Sequence, residues 1–314
     1  MTDAFAKIVL DSISPDDIRL PSLHLRYWRP IHAEFMTHRV FTRNGRSSRA
    51  VPVKTLLTEA PYVPQFAKNQ PGMVAGEPLT ADEQARAEGI WNYMIEACRY
   101  GVAELAKIGG TGVHKQWTNR PLEWFGYIDV LLTTTDIENF MVLRDDPAAA
   151  PEIRDLAQMM KEALAASTPT LLQPGEWHLP YITNEDRKGF IAYAEAHSQD
   201  AAENEFVALE MARDIAKKVS TARCARLSYK PFDGNGDIPA ELERYERLIV
   251  SRPVHASPAE HQATPDVRIL GHEGPYGEWR PTRWANRHLH GNFWGWIQNR
   301  KTIPHEAVFD AHYL

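Results

Sequence analysis

Polar and apolar residues alternate loosely from Ile18 to Tyr27, with Leu20, Leu23 and Leu25 in the run, which predicts a strand. Ile31 to His38 predicts a short helix that feeds an arginine-rich loop. From Val51 to Leu79 the chain is rich in proline, and Gln70-Pro71-Gly72 and Glu77-Pro78 break any regular element. Irregular segments of that length inside a compact domain usually serve function. Helical spacing then runs from Thr80 to about Ile108. Ile90, Met94, Ile95, Cys98, Val102 and Leu105 fall on one predicted apolar stripe, Thr80 and Glu83 form a capping box, and Gly109-Gly110 ends the helix. Cys98 reads there as a small buried hydrophobe. Tyr127 to Thr133 reads as a buried strand, after which Thr135 and Glu138 suggest a second capping box, opening a helix with Asn139 and Arg144. Pro151 and Glu152 suit the first turn of a helix through about Ala166. Pro169 to Tyr181 reads as a loop with exposed Trp177 and His178. Lys188 to Val219 predicts one or two helices and Pro239 to Ser251 another, while His255 to Leu314 is irregular. The sum is an α+β chain whose residues 1–314 form a single domain, since no low-complexity linker divides it.

Composition narrows the function. The chain has 314 residues and a net charge of −6, which argues against a general nucleic-acid binder. Two cysteines, Cys98 and Cys224, make no disulfide framework, so a reducing setting is expected. Met1 to Ser12 has no sustained apolar stretch of the secretory kind, and no run reaches membrane-spanning length. These features predict a cytoplasmic protein with no membrane partner.

Against that acidic background, Thr37-His38-Arg39-Val40-Phe41-Thr42-Arg43-Asn44-Gly45-Arg46-Ser47-Ser48-Arg49 holds four arginines and no acid. Guanidinium groups grip phosphate through paired, charge-assisted hydrogen bonds, and serine hydroxyls complete such a cradle. On composition alone, a solvated basic loop fits equally well.

The segment also resembles the arginine signature of the flavin-dependent thymidylate synthases, with His38, Arg39, Asn44, Ser47 and Arg49 at matching spacings. Three more segments resemble family elements. They are Ala225-Arg226-Leu227-Ser228-Tyr229, His255-Ala256-Ser257-Pro258-Ala259-Glu260-His261, and Asn139-Phe140-Met141-Val142-Leu143-Arg144 followed by Glu152-Ile153. Their order is permuted: the serine and histidine elements follow the arginine signature, as in long bacteriophage-encoded forms, which would place the protein in a host cytoplasm. Asn292 to Lys301 resembles a worn second copy of the signature.

The resemblance implies a mixed sheet with packed helices, a nucleotide half in residues 1–170 and a flavin-contacting half in residues 220–314. It implies FAD as bound cofactor, methylenetetrahydrofolate and NADPH as co-substrates, and dUMP as substrate of a homotetramer with shared sites. It assigns His38, Arg39, Val40, Asn139, Ser228, Ser257 and Glu260 to the flavin. Glu34, Asn44, Ser47, Ser48, Arg49, Lys115, Arg120 and Arg144 go to the nucleotide, and Arg39, Arg144 and His255 to catalysis. Departures concern the base and phosphate: Thr37 replaces an Arg, Gly45 a Glu, Glu34 a Gln, and Trp117 stands near an expected Arg that Lys115 or Arg120 replaces. They keep open hydroxymethylation of dUMP, methylation of dCMP, or an inactive binding scaffold.

Simpler readings stand beside these. Ser257 before Pro258 and Glu260 makes a plausible helix N-cap. Cys224, flanked by Arg223 and Arg226, is a weak candidate nucleophile. His288 and His290 lack a third metal ligand at suitable spacing, so no metal is expected. No Gly-rich dinucleotide fingerprint is present.

Overall fold

In the computed structural model, residues 3–227, 234–251, 254–273, 275 and 278–307 are described. The chain opens with a hairpin of β1 (Phe5–Ile13) and β2 (Arg19–Trp28), paired antiparallel from Phe5↔Arg26 to Ile13↔Arg19 with an irregularity between Ile8 and Leu10. A single turn, α1 (His32–Phe35), leads to β3 (Thr42–Gly45), so the predicted arginine-rich loop contains an edge strand. After α2 (Val53–Thr58) and an irregular stretch comes α3 (Ala81–Leu105), begun by the expected reciprocal Thr80/Glu83 box. The one-turn α4 (Lys115–Thr118) precedes β4 (Tyr127–Thr133), whose seven residues are all buried. That burial explains its largely apolar sequence, since neither face meets water; Asp129, the charged exception, pairs with Arg26 and Arg46.

Helix α5 (Glu138–Arg144) starts differently from expectation. Its N-cap is Ile137 and no side chain caps it; the Thr135 hydroxyl instead accepts from the Trp294 N–H at 2.9 Å. Tertiary contact outcompetes the local box. Helix α6 (Pro151–Ala165) begins at Pro151 as predicted and buries Ile153, Leu156, Ala157 and Met160 against the sheet. The sheet order is β3-β4-β2-β1-β5, closed by β5 (Thr170–Leu171), which runs parallel to β1. All other neighbours are antiparallel, so the sheet is mixed and the chain is α+β.

A helical layer follows: α7 (Asn184–His197), α8 (Gln199–Glu203), α9 (Glu205–Arg226) and α10 (Ile238–Tyr245). Phe190, Ala194, Ala208, Ile215 and Val219 form its core, with small alanines allowing close helix approach. The remaining chain forms short pairs. Strand β6 (Ala263–Pro265) pairs with β11 (Trp296–Gln298), β7 (Arg268–Ile269) with β10 (Arg283–Trp284), and β8 (His272–Glu273) with β9 (Trp279–Arg280). Trp296 is fully buried with Leu20, Ala263 and Phe293, which docks this segment on β2. Among the described residues no helix is long and apolar enough to cross a membrane.

His178, expected on an exposed loop, is fully buried. Its Nδ1 pairs with Ser12 Oγ and its Nε2 with Ser22 Oγ, both at 2.8 Å. Ser22 Oγ reaches Thr133 Oγ1 at 2.6 Å, and Thr133 Oγ1 reaches His261 Nδ1 at 2.9 Å. This buried chain of hydrogen bonds ties β1, β2 and β4 to the segment that begins at His255. Burying polar groups is costly unless they are hydrogen-bonded, so the network specifies which segments meet.

Candidate functional site

The edge strand β3 is where the distant motifs converge. Before it, α1 ends at Phe35 and His38 packs edge-on to Phe140 of α5, with centroids 4.9 Å apart. That packing brings Arg144, at the C-terminal end of α5, to the arginine segment. Its Nε donates to His38 Nε2 at 3.1 Å and its Nη2 to Thr37 Oγ1 at 3.4 Å, while Nη1 lies 3.7 Å from the Glu34 carboxylate. Burial, then the charges of Arg144 and Arg43, lower the His38 pKa below its ordinary value. A neutral His38 ring therefore accepts from Arg144 and holds its guanidinium in place.

The four arginines of the segment divide into two kinds. Arg43 Nη1 donates to the carbonyls of His38 (2.7 Å) and Met36 (3.2 Å), locking the loop. Arg46 pairs with Glu59 at 2.9 Å and Asp129 at 3.4 Å. Arg39 and Arg49 are exposed, and neither has a hydrogen bond or ion pair with the described residues. Charge free to meet an anion thus sits at the two ends of β3.

Beyond Arg49, Asn119 donates to the carbonyls of Ser48 (2.8 Å) and Val51 (2.9 Å), and Lys115 Nζ lies 3.5 Å from the Ala50 carbonyl. Arg120 stands 4.0 Å from Glu123. Ser47 is exposed, whereas Ser48 is buried and donates its hydroxyl to Glu123, which also pairs with Arg29 at 3.2 Å. Lys115, Arg120 and Arg49 therefore line one end of the segment.

From the far half of the chain, Asn44 Nδ2 reaches the Cys224 carbonyl in α9 at 3.5 Å. Leu227, just past α9, is left-handed with φ 56°, a conformation that costs a non-glycine residue about 1 kcal/mol or more. Its burial beside Leu131 and Tyr181 holds it there. The next residue, Ser228, lies outside the described residues, as does Tyr229. Gln298 Nε2 donates to the Glu260 carbonyl (3.0 Å), to Asn292 Oδ1 (2.9 Å) and toward Thr42 Oγ1 (3.4 Å), while Asn292 Nδ2 donates to the Val40 carbonyl at 2.9 Å. The worn second copy of the signature thus lies beside the first. Its Arg300 pairs with Glu260 and Glu306.

Ser257 does not cap a helix: Ser257–Glu260 is a 3-10 turn whose N-cap is Ala256, with no side-chain cap bond. His255 and Asn139 are exposed. Cys224 is fully buried, and burial pushes its thiol pKa well up against the smaller lowering effects of Ser220, Gln262 and Arg226; Arg223 itself pairs with Asp186 and Arg226 with Glu241. Cys98 is half-buried and its thiol is likewise raised by burial. His290 is buried against Asp266 at 2.8 Å while His288 is exposed, so the pair does not converge on a common ligand position.

Arg43, Glu123, Asn292 and Gln298 organise the site without having been singled out. Arg43 lies in the arginine-rich segment, but spacing cannot tell which guanidinium turns inward; Asn292 and Gln298 lie in the worn second copy, whose pattern does not say that it packs on the first. Clefts of about 260–560 Å³ open elsewhere, for example about 410 Å³ beside Trp177 and Phe190, and none of these is lined by Arg39, Arg49 or Arg144. On one chain, the arginine surface is open.

No protein-family model and no curated protein match the chain. Among solved structures, it is similar to a UMP/dUMP methylase, PolB, of Streptomyces cacaoi bound with 5-Br UMP. The identity is 17%, covering 52% of this chain and 90% of that one, with a TM-score of 0.46. It is also similar to a flavin-dependent thymidylate synthase, ThyX, of Helicobacter pylori complexed with FAD and dUMP. There the identity is 15%, covering 46% of this chain and 67% of that one, with a TM-score of 0.32.

Proposed function

We propose that the protein is a flavin-dependent thymidylate synthase that methylates dUMP reductively, with methylenetetrahydrofolate as carbon donor and NADPH as reductant. One observation carries the reading: the resembling segments, far apart in sequence, gather around β3, where Arg144 meets His38, Asn44 meets the end of α9, and Thr42 and Glu260 share Gln298.

The exposed surface suits a planar, anionic cofactor. Cationic Arg39 and the amide of Asn139 lie among exposed apolar side chains, Val40, Val142 and Leu143, so charge and flat contact area occur together. In this reading His38, Arg39, Val40, Asn139, Ser257 and Glu260, with Ser228, hold FAD, which supplies hydride transfer. The nucleotide phosphate goes to Ser47, Arg49, Lys115 and Arg120, with Asn44 and the Ser48 backbone shaping the turn. Arg144, steadied by neutral His38, stabilises negative charge that develops on the pyrimidine, as does Arg39. His255, exposed at the surface, handles protons near the flavin edge. Neither cysteine is needed, which agrees with the raised thiol pKa of Cys224 and Cys98. The open surface is completed between copies in a homo-oligomer.

Glu34 favours one second reading. A carboxylate accepts from the exocyclic amine of cytosine, and Glu34 sits 3.7 Å from Arg144, so dCMP is the alternative substrate.

Two substitutions test the assignment. Arg49→Ala should raise the dissociation constant for dUMP at least tenfold, the loss of a hydrogen bond to a charged group being about 1.5–3 kcal/mol. FAD uptake, read by flavin absorbance, should stay unchanged in that variant. Arg39→Ala should lower both FAD uptake and turnover; unchanged activity there would remove Arg39 from the site.

A further inference from the structure

Two tryptophans form a corner apart from the arginine segment. Trp284 ends β10 and Trp294 stands just before β11; their rings lie 6.1 Å apart at 88°. With Asp16 and Ile18 from the turn between β1 and β2, and Arg268, Thr282 and Arg283 around the β7–β10 pair, they line a cleft of about 350 Å³. That volume lies in the range of small-molecule sites.

The corner is built rather than incidental. Gly295 has φ 70°, and a Cβ there would clash with Ile18 Cδ1 and lie 3.1 Å from Trp284 Cη2, so only glycine lets the backbone press on that indole. Buried Asp266 accepts from the Asn286 N–H and meets His290 Nε2, both at 2.8 Å. It thereby ties the β6–β7 connection to the segment between the two tryptophans. Arg287, outside the lining, covers one face of Trp294 at 5.3 Å, which leaves the opposite face for a ligand.

Charge completes the picture. Arg268 lies 3.5 Å from Asp16, whereas Arg283 is exposed and has no hydrogen bond or ion pair with the described residues. We infer that this corner is a second nucleotide site, which takes a purine nucleoside monophosphate with its base on Trp294 and its phosphate on Arg283. A base stacked on one indole meets the perpendicular one edge to face, a favoured aromatic geometry. The bicyclic purine covers more of an indole than a pyrimidine does, and a guanidinium suits phosphate. Asp16, the one acid in the lining, repels phosphate and accepts from ribose hydroxyls, which fixes the direction of the nucleotide.

AMP is the probe, because the proposed reaction does not consume it and its binding reads separately from turnover. Titrated into the full chain and followed by calorimetry, AMP should bind equally with and without added FAD. Trp294→Ala should raise its dissociation constant about tenfold, the scale of one base–aromatic stack, and Trp294→Phe should raise it less. The bond from Trp294 to Thr135 uses the backbone N–H, so these variants keep it. Arg283→Ala should weaken AMP about tenfold and leave adenosine unaffected, while Arg49→Ala should change neither. No AMP binding, binding that Trp294→Ala and Arg283→Ala leave unchanged, or binding that FAD or Arg49→Ala abolishes overturns the inference.

Discussion

Acidification from pH 6.5 to 4.5 is expected to cost the protein on the order of 5 kcal/mol of stability, through two buried histidines. Burial holds His178 and His261 down to about 3, with His178 adding to the effect on His261. In the unfolded chain both return to about 6.5. Below that value the unfolded state binds more protons than the folded one, so stability present at neutral pH is lost as pH falls from 6.5 toward 3. Each histidine contributes about 1.4 kcal/mol per pH unit across this window. His32, lowered to about 4 first by burial and then by Arg29 and Arg43, acts in the same direction. Carboxylates with depressed pKa, such as Asp129, add their loss only below about pH 4. Urea unfolding at pH 7, 6, 5 and 4.5 reads the slope directly. His261→Gln should reduce that slope, whatever its effect at pH 7; an equal slope in wild type and variant would show that the ring titrates freely in the folded state.

Glu241→Ala should destabilise the fold by about 3–5 kcal/mol, the range for breaking a buried ion pair. Glu241 is fully buried, and both of its oxygens accept from Arg226 at 2.6 Å. Arg244 lies 3.4 Å from the same carboxylate and Arg223 lies 3.6 Å away. Removing the acid takes away the buried carboxylate that three guanidiniums share, of which Arg223 keeps its pair with Asp186. Glu241→Gln keeps the shape and part of the hydrogen bonding, so it should lose less. Because Arg223 and Arg226 end α9 just before Ser228, FAD uptake should fall with stability in Glu241→Ala. A loss below about 1 kcal/mol in chemical denaturation would mean that water reaches the cluster.

Strong local signals read well in the sequence. The alternation around Leu20, Leu23 and Leu25 marks β2, the largely apolar run from Tyr127 marks β4, and Thr80 with Glu83 starts α3 where expected. Errors arose where distant partners decide. Thr135 meets Trp294 rather than capping α5, and His178 is drawn inward by Ser12 and Ser22 from other strands. Helix α7 starts four residues before the expected Lys188, at Asn184, where Thr183 and Asp186 form a full capping box that no apolar run follows closely. The arginine segment was legible as a concentration of charge, but not its division into arginines that brace the loop and arginines left exposed. Hydrogen bonds to backbone carbonyls make that division, and they have no sequence pattern.

The central claim meets its most direct test in one anaerobic experiment. FAD-loaded protein, reduced with NADPH, is mixed with methylenetetrahydrofolate and either dUMP or dCMP; flavin oxidation is followed by absorbance and products by mass. Thymidylate from dUMP, together with flavin oxidation, is the predicted result. Product from dCMP alone would transfer the site to the cytosine reading, and protein that takes up no FAD would contradict the account.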